Sequence, residues 1–196
     1  LLVAAIANEE KVEGVDQNLL KLEGMDTQLA ARLAEGGVTT RDELAGSEWA
    51  HEVHGHLGGM PPALDLAAER ALAQLLVEAA REGAVACAHD VSDGGIAQTL
   101  VEACLRTGLG ADIDVPGDAF VFLWSESATR VVVSVEPAKC IAFEQRAAAH
   151  GVPAARVGTV VDAPRLILQG VYGGNVEVTL GELRTASEAT LPRLFG

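Results

Sequence analysis

Two adjacent glycines separate a short apolar run from a stretch of helical periodicity in Ala88-His89-Asp90-Val91-Ser92-Asp93-Gly94-Gly95. That arrangement calls for a strand that turns sharply into a helix. Upstream, Ala84-Val85-Ala86-Cys87-Ala88 reads as a short buried strand; downstream, Ile96, Leu100, Ala103 and Cys104 recur at helical spacing. Glycine adopts backbone angles closed to other residues and lets a ligand or another segment come close to the chain. Ser92 or Asp93 is placed to cap the helix's free amides. A helix start behind a glycine turn also attracts anions such as phosphate. A capped turn without a ligand accounts for the same residues, so the motif alone leaves both readings open.

A second motif, Trp124-Ser125-Glu126-Ser127-Ala128-Thr129-Arg130, leads into the strand Val131-Val132-Val133-Ser134-Val135. Gly46-Ser47-Glu48-Trp49, Pro61-Pro62-Ala63-Leu64-Asp65-Leu66 and Leu191-Pro192-Arg193-Leu194-Phe195-Gly196 complete a recognisable order. From about residue 42 to the end, the chain resembles the C-terminal domain of the phosphoribosylformylglycinamidine synthases. The coupling of His-Asp-Val-Ser-Asp-Gly-Gly with a later Ser-Glu-Ser carries that resemblance. Aminoimidazole ribonucleotide synthetase and selenophosphate synthetase are more distant members of the same superfamily.

The first 45 residues read differently. Leu29, Ala30, Leu33 and Ala34 form one apolar stripe, Gly36 or Gly37 stops that helix, and Thr39 or Thr40 can cap the next. Residues 16–45 thus form a helical hairpin, which resembles the acidic C-terminal repeat of the bacterial transcription factor NusA. The two resemblances overlap at Asp42-Glu43-Leu44-Ala45. A chimera is the expectation, divided into a helical hairpin over 1–45 and a synthase-like domain over 46–196.

The formal charge is −14, with excess acid in both parts, and no segment gathers Lys and Arg into a patch. Direct nucleic-acid binding by electrostatics is therefore not expected. Cys87, Cys104 and Cys140 are widely spaced in apolar surroundings and read as buried thiols of a cytoplasmic protein. Leu1–Ala7 is apolar but lacks a basic leader and a span of about 20 residues, so it reads as a helix start or a truncation point and not a membrane segment. His51, His54 and His56 invite a metal reading, but Gly55 interrupts the helix they would share and no closed ligand set follows, so no metal site is assigned.

The remaining pattern gives a helix from Asp65 to Arg81, the strand at 84–88, a helix from 96 to about 106, a strand at 111–115 and a strand at 130–135. A helix then starts at Pro137 and runs to about Ala149, strands follow at 157–161, 166–168 and 176–180, and a last helix covers 181–189. This order describes an α+β domain with a mixed β-sheet and helices on one face.

The resemblance implies an ATP-dependent ligase of purine biosynthesis, which converts formylglycinamide ribonucleotide and ammonia to the amidine through a phosphorylated amide. Magnesium would screen the triphosphate, and a partner glutaminase would supply the ammonia. It also implies that the nucleotide-binding half and the catalytic histidine lie outside residues 1–196. No catalytic residue is therefore assigned, and neither ATP nor magnesium is expected to bind this chain alone. His89, Asp90, Ser92, Asp93, Gly94 and Gly95 are the ligand-facing candidates on one wall; Ser125, Glu126, Ser127 and Arg130 are those on the other. A purely structural role for the same residues stands beside that reading. The partner expected is a pseudo-twofold mate domain or, in its absence, a second copy. Two alternatives are an acidic interaction module of the NusA kind fused to a structural domain, and a stand-alone nucleotide-binding protein.

Overall fold

The computed structural model describes residues 2–6 and 64–189. Its elements are β1 (Leu2–Ile6), α1 (Leu66–Arg81), β2 (Val85–Asp90), α2 (Gly95–Thr107), β3 (Gly110–Asp114), α3 (Ala119–Trp124) and β4 (Val131–Val135). After a 3-10 turn at Pro137–Lys139 come α4 (Cys140–Ala149), β5 (Ala154–Val161), β6 (Arg165–Val171), β7 (Gly174–Thr179) and α5 (Leu180–Glu188). The seven strands form one sheet in the order β2-β4-β1-β5-β3-β6-β7. The β3–β6 pair is parallel and the other five pairs are antiparallel.

The mixed α+β sheet expected from the sequence is the architecture found. The helices, expected on one face, flank both. The reason lies in β4, whose Val-Val-Val-Ser-Val has no charged residue and is buried at all five positions. Val131, Val133 and Val135 pack with Leu72, Leu75 and Ala79 of α1 and Phe143 and Ala147 of α4. Val132 faces the opposite way, into a core with Ile96, Leu100 and Cys104 of α2, Ile113 of β3 and Leu180 of α5. Alternation along a strand sends neighbours to opposite faces, so an unbroken apolar run requires cover on both.

Local signals set the helix ends. The Asp65 carboxylate accepts from the amides of Ala67 (2.7 Å) and Ala68 (3.1 Å) and so opens α1. Thr179 and Glu182 cap α5 reciprocally, each side chain meeting the other's amide.

Two segments depart from the sequence reading. Leu2–Ile6, read as a helix start or truncation point, is a strand inside the sheet, between β4 and β5. A short apolar run takes whichever form its neighbours complete, and here two strand edges complete it. Ala119–Trp124, to which the sequence reading assigned no element, forms a short helix capped by Asp118, whose carboxylate accepts from the Val121 amide at 3.0 Å. The hairpin over 16–45, the histidines at 51, 54 and 56, the Pro61-Pro62 loop and the closing 191–196 segment lie outside the described residues.

Candidate functional site

Antiparallel pairing of β2 with β4 places Asp90 opposite Val131, so the segment after β2 and the segment before β4 emerge at the same end of the sheet. The Val91 amide donates to the Arg130 carbonyl at 3.1 Å and holds the two together. The two sequence motifs therefore meet, although about thirty residues separate them.

Their contact centres on the glycines. Gly94 and Gly95 have φ of 78° and 65°, in the left-handed region. A Cβ on Gly95 would stand 2.5 Å from the Leu123 carbonyl oxygen and 2.8 Å from that of Ser125. Only glycine lets the start of α2 pack this closely against the end of α3. One step earlier, the Gly94 amide donates to Glu126 Oε1 at 3.0 Å. Neither Ser92 nor Asp93 provides the side-chain cap expected at the start of α2. A carboxylate from the second motif meets the turn there instead.

The second motif is braced from within. The Arg130 guanidinium donates through Nη1 to the Ser125 carbonyl at 2.8 Å, and the Ser125 and Ser127 hydroxyls lie 3.0 Å apart. Burial pushes Arg130 down to about 10, which leaves it a cation at neutral pH. Thr129 takes a positive φ of 63°, and its hydroxyl donates to Glu69 of α1 at 2.5 Å. The loop is thus tied to the body on two sides.

The first motif divides. Asp90 is largely exposed, and Ser92 and Asp93 are exposed as well. His89 is turned inward, its Nδ1 lying 2.8 Å from the Asp90 carbonyl and its Nε2 3.0 Å from Glu102 Oε2 on α2. Glu102, which the sequence reading missed, is one helical turn beyond Gln98 and accepts from its Nε2 at 2.8 Å. Thr99, also missed, is buried and donates to both the Asp90 and Gly95 carbonyls. Its position one turn into α2, on the apolar stripe, was the available signal.

The site is thus a rigid turn with two exposed aspartates on one lip. Trp124, 40 % exposed, stands beside the buried Ser125 on the other. As a triphosphate site the donor set does not fit by itself. The Gly94 amide already meets a carboxylate, the Gly95 amide donates to the Ser92 carbonyl at 3.0 Å, and the Arg130 guanidinium is directed at the Ser125 carbonyl. Among the described residues, no group of three His, Cys, Asp or Glu could hold a metal ion.

Residues 33–171 match the family described as AIR synthase related protein, C-terminal domain. Over 159 residues the chain is 52 % identical to the phosphoribosylformylglycinamidine synthase subunit PurL of Parafrankia sp. (strain EAN1pec), covering 80 % of this chain and 20 % of that protein. Among solved structures, PurL of T. maritima complexed with ATP superposes with a TM-score of 0.56 at 26 % identity, over 61 % of this chain and 22 % of that one. The same protein complexed with FGAR gives 0.61 at 18 % identity over 93 % of this chain and 27 % of that one, a likeness of fold. The chain spans about a fifth of the length of the curated relatives it matches.

Proposed function

The chain belongs to the family of AIR synthase related C-terminal domains, and from that premise we propose that it is the C-terminal lobe of a phosphoribosylformylglycinamidine synthase. In this reading it does no chemistry by itself. The observation that carries the proposal is the meeting of the two motifs, with the Glu126 carboxylate on the Gly94 amide and the α2 start seated on the α3 carbonyls. This builds a stiff rim, which suits a lobe that completes a groove made mostly by another domain.

ATP, magnesium and the ribonucleotide then belong to the intact enzyme, as does ammonia from a glutaminase partner. Asp90, Asp93 and Ser92 are the exposed groups this lobe offers to such a groove, with His89 and Arg130 acting as positioning residues behind the two walls. Exposed Trp124 marks where a mate domain, or failing that a second copy, would cover the rim. No helix among the described residues is long and apolar enough to cross a membrane.

The test is thermal unfolding with millimolar ATP and magnesium. The expected result is no detectable change in Tm, because a lobe without its mate has no triphosphate site. A rise of several degrees would mean saturable binding by the chain itself and would overturn the proposal. Nucleotide binding that appears when a separately expressed nucleotide-binding half is added would support it.

A further inference from the structure

The central strand β1 has an unusual origin. It fills the gap between β4 and β5, pairing with Val131–Val135 on one edge and with residues from Ala154 to Thr159 on the other, antiparallel to both. Yet residues 2–6 fall outside the family match, which begins at residue 33. They are also remote from their neighbours in the chain, since residues 7–65 intervene before α1. Without β1 the seven-stranded sheet would fall into a β2-β4 pair and a β5-β3-β6-β7 set. Two facing strand edges would then be left with unpaired amides and carbonyls, a ready template for another strand.

We propose that the gap between β4 and β5 is a strand-acceptor site, and that the β1 segment of a second copy of this chain can fill it in exchange for the chain's own. Three features select that occupant. The segment Leu-Val-Ala-Ala-Ile carries no charge, matching an acceptor in which β4 is buried at every position. Any copy's β1 would make the same register with the same hydrogen bonds, so exchange loses no pairing. The intervening residues, at roughly 3.4 Å each when extended, are ample to reach a neighbouring molecule. Exchange between copies is bimolecular, whereas a chain's pairing with its own strand is not, so the exchanged form gains as protein concentration rises. Reciprocal exchange closes as a twofold dimer.

The test measures molar mass by light scattering after unfolding in urea and refolding at about 0.01 and about 1 mM. A second pair of samples is held for a day at the same concentrations without unfolding, so that a failure to refold does not decide the matter. The expected result is a monomer at the low concentration and a dimer fraction approaching one half at the high one. A lysine-tailed synthetic peptide of residues 1–7, added in tenfold excess, should abolish that dimer and co-elute with the monomer, whereas a scrambled peptide should not. A monomer at both concentrations overturns the proposal. A dimer indifferent to the peptide also overturns it, since that dimer would use another surface, such as the one around Trp124.

Discussion

Single residues explain the sharpness of the turn at the centre of the site. Gly95 and Gly108 both have positive φ, but a Cβ on Gly95 would strike the carbonyls of Leu123 and Ser125, whereas one on Gly108 would meet nothing within 4 Å. Gly95→Ala should therefore cost roughly 2–4 kcal/mol, backbone strain and overlap together, and Gly108→Ala only about 1 kcal/mol. Urea unfolding of the two variants checks this; equal losses would mean that the close approach to α3 contributes nothing. Cys104, buried on α2, makes a second residue-scale prediction. Burial pushes its thiol from 9.0 up to about 11. Between those values the folded chain keeps a proton that the unfolded chain releases, so this contribution to stability is complete below pH 9 and is lost as the pH rises toward 11. Cys104→Ala should show a shallower decline over that interval in unfolding free energy against pH, and an unchanged slope would contradict the assignment. The need for glycine at 94 and 95 was legible in the sequence, because a strand cannot enter a helix so abruptly otherwise. The packing partner of Gly95 was not, because no local pattern announces a contact with carbonyls some thirty residues away.

At the scale of elements, the two motifs work as one unit because a carboxylate from the loop before β4 serves the start of α2. Capping residues ordinarily come from the helix's own flank, and Ser92 and Asp93 offer the right chemistry there, so the sequence pointed to them. The fold leaves the first turn of α2 without a side-chain cap and instead anchors the Gly94 amide just before it on Glu126, across a loop held by Arg130 on the Ser125 carbonyl and Thr129 on Glu69. Glu126→Ala should lower stability by about 1 kcal/mol, and Glu126→Gln, which keeps an acceptor but loses the charge, by less. The shift in the urea midpoint measures both; a wild-type midpoint for Glu126→Ala would show that the long-range hydrogen bond to Gly94 is idle. Helices and strands with clear period and punctuation, such as α1 between Asp65 and Gly83, were readable within a residue or two. The misses, α3 and β1, are both short and apolar throughout, and a run of five or six such residues has no period to read. Their form is decided by what they pack against. The same holds for the second helical face, which only the absence of alternation in β4 hinted at.

For the whole molecule, the dominant long-range quantity is charge. The chain carries 28 acidic and 14 basic residues, so even if every Arg and Lys met a carboxylate, half the acids would remain. The ion pairs seen, such as Arg165 with Glu177 and Arg184 with Glu188, lie at the surface and contribute about 0–1 kcal/mol each. Repulsion among the surplus carboxylates opposes the compact state more than the unfolded one. Salt shortens the reach of that repulsion from about 30 Å at 0.01 M to about 10 Å at 0.1 M. The melting temperature should therefore rise with sodium chloride over that range, whereas surface pairing acting alone would make it fall. A flat or falling curve would mean that the pairs outweigh the surplus. This bears on the nucleotide test, because magnesium screens carboxylates too. Only a rise beyond that given by magnesium and salt at equal ionic strength would count as binding. With this much surplus acid, the chain should present a repelling surface to a bare triphosphate, which adds to the expectation of no shift in that test.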